Sequence, residues 1–245
     1  MCIHRRIFDK AVAVANDTLI KDVRIGLGYT IVELEDGRCG ISYSFTKELG
    51  SKNCTALESA GALHTFKARK LLEGIFSYNL LDATLAIATA QALLHDPSRD
   101  DGIDLLDLIE PNSRVVMIGY FAPLVPVIRK KSTRFVICER SGKDGTYPDY
   151  AAYFELQQCD VALISATTLI NKTIDVLLDR TRARRVALLG PSCVMDPEIF
   201  ASTPVTHLCG SYITDAELAK MIISQGGGTQ KLKVATRKGC IQCRS

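Results

Sequence analysis

The chain has 245 residues, 47% apolar and 23% charged, with a formal net charge of +3. That length buries a substantial core as one large or two modest domains, and so small a charge gives no argument for a nucleic-acid partner. Charges interrupt every long apolar stretch, so no run approaches the ~18 residues of a membrane span.

The opening MCIHRRIFDKAVAVANDTLI sets basic residues ahead of an apolar patch, but Asp9, Lys10, Asn16 and Asp17 interrupt it. It reads as an amphipathic first helix rather than a signal peptide, which predicts a cytoplasmic protein. VRIGLG, YTIVELE and CGISYSF then alternate around the Asp36-Gly37 turn, the pattern of a small antiparallel meander. TALESAGALH and TFKARKLLEGIF read as helical and complete an α+β unit to about Phe76. Asn53, Cys54, Glu58 and His64 lie just before its end and are candidates to face a second domain. The boundary falls near Phe76–Ser77, giving domains 1–77 and 78–245. Asn79 caps a helix through LLDATLAIATAQALL, apolar all round and so expected to be buried against the second domain's sheet.

Five short apolar runs follow: RVVMIG (114–119), RFVICE (134–139), DVALIS (160–165), RVALLG (185–190) and VTHLCG (205–210). Helix-length stretches separate them. This rhythm predicts an α/β fold whose second domain is a Rossmann-like, doubly wound parallel sheet. Such sheets collect ligands where their strands end, so Gly119, Glu139, Ser165, Gly190 and Gly210 mark a rim. Thr214 or Asp215 caps the last helix, which Gly226-Gly227-Gly228 ends.

The rim carries the candidate chemistry. The first turn is GYFAPLVP, with Tyr120 and Phe121 where a pyrophosphate needs close backbone approach, so an ordinary NAD or FAD site is not expected. Glu139, twenty residues beyond Gly119, is placed to accept from a sugar or polyol. In SATTLINKT, Thr167, Thr168, Asn171 and Thr173 gather hydroxyl and amide groups at a helix start, where free N–H groups attract anions. Gly190-Pro191 turns the chain and presents Ser192 and Cys193. The motif is not GxSxG, and only His64 or His207, distant in sequence, is available to activate either residue. The expectation is one interdomain pocket lined by Tyr120 or Phe121, Glu139, Thr167, Asn171 and Ser192, with Asp215 a further contact.

Nine cysteines in a chain with no secretion signal argue against a disulfide framework, and Cys138 and Cys209 fall inside strands as small apolar residues. The tail KLKVATRKGCIQCRS reads as frayed, carrying Cys240-x-x-Cys243. Two thiolates are half a structural zinc set, which a second tail in a dimer, or Cys193 with Cys209, would complete. His4, His64, His95 and His207 have no paired spacing from which a preformed cage can be read.

VVMIGYF, CDVALISATTLINKTIDVLL, LLGPSCVMDPEIF and HLCGSYITDAE before a triple glycine resemble, in order, a bacterial and archaeal family labelled as heavy-metal chelation proteins. The resemblance covers roughly residues 22–230. It implies an enolase-N-terminal-like domain, a Rossmann-like domain and a ligand cleft between them. Gln91 stands where the family pattern has asparagine. The resulting expectation is a homodimer binding a metal ion, a metal complex or another small molecule in that cleft. Gly119, Gly190 and Pro191 complete the rim, and Cys193, Cys240 and Cys243 are the candidate metal ligands. The alternative is an enzyme acting there on a nucleotide-like or tetrapyrrole-like substrate.

Overall fold

The computed structural model describes residues 2–48 and 57–243. Helix α1 (Ile3–Ala15) turns Ile3, Ile7, Ala11 and Ala15 inward at four-residue spacing, leaving Arg5 and Asp9 exposed. Strands β1 (Ile20–Ile25), β2 (Tyr29–Leu34) and β3 (Cys39–Tyr43) pair antiparallel in that order. Residues 57–62, expected to be helical, form turns in which Gly61 takes φ +87°. Regular helix begins only at α2 (Ala68–Leu72).

Helix α3 (Leu80–Leu94) starts where Asn79 accepts from the Leu81 N–H, as the sequence predicts. Its main strand partners are β2 and β3, not the second sheet on which it was expected to rest. Gly40 permits this seat. A Cβ there would collide with the Ala88 carbonyl and stand 2.6 Å from Ala92 N.

The remaining elements alternate: β4 (Arg114–Ile118), α4 (Val125–Lys131), β5 (Arg134–Cys138), α5 (Ala152–Glu155), β6 (Val161–Ser165), α6 (Ile174–Arg180), β7 (Arg185–Leu189), α7 (Pro197–Phe200), β8 (His207–Ile213), α8 (Ala216–Ser224), α9 (Thr229–Leu232) and β9 (Thr236–Gln242). They build a six-stranded sheet of order β5-β4-β6-β7-β8-β9, parallel through β8 and antiparallel at β9. All five apolar runs are therefore strands, and the fold is α/β. The basic tail is not frayed: it is the sheet's edge strand.

The two sheets share their cover. Val32 and Leu34 of β2 face the core that holds α1, α3 and one face of the large sheet. Tyr29, Ile31 and Ile41 face the other way, against Ala219, Ile223, Leu232 and Ala235 of the C-terminal third. Beside that contact, buried Glu33 accepts from Lys220 of α8 at 2.5 Å and from Lys21 at 2.7 Å.

Candidate ligand crevice at the strand ends

The connection from β4 to β5 runs to one side of β4, while β6 lies on the other. The C-terminal ends of β4 and β6 therefore flank the point where strand order reverses, the position at which open α/β sheets hold ligands. Gly119 and Ser165 occupy those ends. A Cβ on Gly119 would stand 3.0 Å from Ser165 Cβ, and its φ of +88° is one that residues with side chains rarely adopt. The Ser165 hydroxyl pairs with Thr167 Oγ1 at 2.8 Å. The Phe121 ring lies across the rim, 3.8 Å from the Cβ position of Gly119 and 3.6 Å from that of Gly190. Half-buried Gly119, Phe121, Thr167 and Gly190 thus meet at three adjacent strand ends.

The other expected lining residues are not in this group. Glu139 lines a separate cavity of about 380 Å³ with Arg140, Lys143 and Tyr147, and its Oε1 accepts from Ser141 N. Tyr120 joins the two regions, since the Lys143 ammonium sits 3.7 Å from its ring centroid. Beside it, Arg140 bonds at 2.8 Å to Glu48, just beyond β3. Thr168 is buried and donates to the Ser165 carbonyl at 2.6 Å. Asn171 Oδ1 accepts from both the N–H and the hydroxyl of Thr173, closing a local turn before α6. Ser192 is buried, its hydroxyl accepting from Tyr43 N–H at 2.8 Å, while Pro191 O accepts from Gln91. Asp215 caps α8 through Leu218 N. The single pocket expected from the sequence is therefore corrected to a rim cluster beside a loop cavity, because chain order placed residues at strand ends without saying which way each pointed.

The expected cysteine ligands disperse as well. Cys240 and Cys243 are three residues apart in extended chain, so their side chains leave opposite faces of the sheet. Cys240 forms a disulfide with its cross-strand partner Cys209, against the expectation of reduced thiols. Cys243 packs into the core on the other face, where burial pushes its thiol up to about 11. Cys193 is wholly buried and its Sγ donates to the Leu188 carbonyl. Burial holds that thiol far above its ordinary value, so it is no nucleophile. His64 and Glu58 are exposed, and Asn53 and Cys54 lie outside the described residues. His207 is buried with Nδ1 against Thr206 Oγ1. A different set converges at the start of α1: Cys2, His4 and Asp175, which spacing gave no reason to associate.

Sequence profiles decide the relationship. The profile of the DUF364 family, described as "Putative heavy-metal chelation", matches residues 101–241, and that of DUF4213, described in the same words, matches residues 8–94. The chain belongs to the DUF364 family. An uncharacterized protein of Methanocaldococcus jannaschii is 29% identical over 172 residues, 66% of each chain. The crystal structure of a DUF364 protein of unknown function from Pyrococcus horikoshii superposes with TM-score 0.87 at 26% identity, covering 98% of this chain and all of that one. A second, from Desulfitobacterium hafniense DCB-2, gives 0.84 at 21% identity over 98% and 97% of the two chains, a likeness of fold. This DUF364 chain has no helix, among its described residues, long and apolar enough to cross a membrane.

Proposed function

We propose that this DUF364 protein binds a small anionic or metal-bearing organic ligand in the crevice between the strand ends of β4, β6 and β7 and the segment that follows β3. The observation that carries the reading is the Gly119–Ser165 contact at the reversal of strand order, where the missing side chain of Gly119 leaves room for that of Ser165. Ser165 and Thr167 supply a hydroxyl pair, and Phe121 supplies an apolar face above it. That mixture suits an organic ligand with a few polar groups better than a bare ion, since no carboxylate, imidazole or thiolate belongs to the cluster. The family description supports a metal-bearing ligand.

Native mass spectrometry of the protein as purified, followed by thermal-shift titration with any co-purified species, tests the reading. Thr167→Val and Phe121→Ala should each weaken that ligand at least about tenfold, equivalent to the loss of roughly 1.4 kcal/mol. Binding unchanged in both variants would move the ligand elsewhere.

A further inference from the structure

We propose that Cys2, His4 and Asp175 form a site for one soft or borderline divalent ion, such as Zn²⁺ or Cd²⁺, separate from the strand-end crevice. The thiol sulfur, an imidazole nitrogen and a carboxylate oxygen all lie within 4.8 Å of one another. They come from the N-cap and first turn of α1 and from the first turn of α6, two segments that folding brings together.

The imidazole is already set as a ligand. His4 Nε2 lies 2.7 Å from the Leu169 carbonyl, which can only accept, so this nitrogen carries the proton and Nδ1 keeps its lone pair. The side chain is only 7% exposed, and Nδ1 faces Asp175 Oδ2 at 3.6 Å. That gap exceeds a hydrogen bond. It falls at the upper end of the ~3.3–3.6 Å by which two N or O donors stand apart on a tetrahedral ion with bonds of ~2.0–2.2 Å. A buried imidazole nitrogen therefore faces a carboxylate oxygen just beyond ordinary hydrogen-bond reach, at a spacing that a shared ion can span.

The supporting contacts match those of metal centres. A carbonyl fixes the ring from behind, and the Ile3 N–H donates to Asp175 Oδ1 at 3.0 Å, orienting the carboxylate and leaving Oδ2 free to ligate. Cys2 is exposed, so its sulfur can swing the last ångström inward and an ion can enter from solvent. Three protein donors with an open side leave a fourth position for water or a small ligand.

The test is titration of the intact protein with Co²⁺, read by absorption, with Cd²⁺ competition. A site of this composition gives one equivalent bound, tetrahedral d–d bands and a sulfur-to-cobalt charge-transfer band. Cys2→Ser, at an exposed position, should abolish the charge-transfer band and weaken binding at least tenfold, while Asp175→Asn should weaken binding and keep that band. Thr167→Val should leave the titration unchanged, which separates this site from the crevice. Wild-type protein without a thiolate–cobalt band, or Cys2→Ser protein that retains it, would overturn the proposal.

Discussion

Gln91 ties the buried helix α3 to the turn at Pro191: its Nε2 donates to the Pro191 carbonyl at 2.9 Å while its Oε1 accepts from the Ile41 N–H at 3.1 Å. Two residues along β3, Tyr43 N–H donates to Ser192 Oγ. The outer edge of β3 is thereby satisfied by side chains rather than by another strand.

Replacing Gln91 with leucine should therefore destabilise the protein by ~2–4 kcal/mol, because a buried N–H and a buried carbonyl both lose their partner. Urea unfolding measures this. A loss below about 0.5 kcal/mol would show that the β3 edge does not depend on the carboxamide.

Glu33 gives a second test. Burial pushes its carboxyl up, but hydrogen bonds from Lys21 and Lys220 outweigh that and hold it below its ordinary value. A depressed folded pKa contributes stability that is present above about pH 4.5, the unfolded value, and is lost as pH falls through the folded one. Glu33→Gln should cost ~1–2 kcal/mol at pH 7, because Lys220 loses its buried partner and keeps the more exposed Glu217 and Asp22. The gap between variant and wild type should narrow below pH 4, as read from denaturation midpoints across pH.

His95 titrates in the opposite chemical sense with the same pH direction. Burial pulls its imidazole down to about 4, and its Nε2 lies between the Cys193 carbonyl at 3.1 Å and the Met195 N–H at 3.2 Å. The unfolded chain takes up a proton near pH 6.5, while the folded chain refuses it until about pH 4. Stability should thus fall by up to ~3 kcal/mol between those values. His95→Gln, whose carboxamide offers both a donor for the Cys193 carbonyl and an acceptor for the Met195 N–H, should be less steep over that window. Equal slopes for the two proteins would rule out this histidine as the source.

The parallel sheet was legible because buried strands are short apolar runs, and all five lie where the sequence predicts. Asn79 and Asp215 were legible as caps, since capping is local chemistry. Side-chain direction at the rim was not. Ser192 stands beyond a strand as a ligand residue would, yet it turns inward to Tyr43, 149 residues away. The tail looked frayed because TRKGCIQ is polar, and polar alternation suits an edge strand equally well. Cys2, His4 and Asp175 were invisible for the simplest reason: two of them sit more than 170 residues from the third.

The Cys209–Cys240 disulfide closes a separation of 31 residues and pins β9 to β8. Restricting a loop of that size in the unfolded chain is worth ~3–4 kcal/mol. Dithiothreitol, or a Cys209→Ser, Cys240→Ser double variant, should lower the denaturation midpoint accordingly. An unchanged midpoint on reduction would mean that the strand pairing alone holds the edge.

The seat of α8 and α9 on the meander has a consequence for synthesis. Tyr29, Ile31 and Ile41 are synthesised long before the residues that cover them, which run from Ala219 to Ala235. Gly26 lies so close to Ile223 that a Cβ would collide with its carbonyl, so the fit is specific to this helix. The first sheet must therefore wait, one apolar face open, until the whole of the large sheet's parallel part has been synthesised. During that interval the nascent chain carries an uncovered apolar surface, the condition under which chains aggregate.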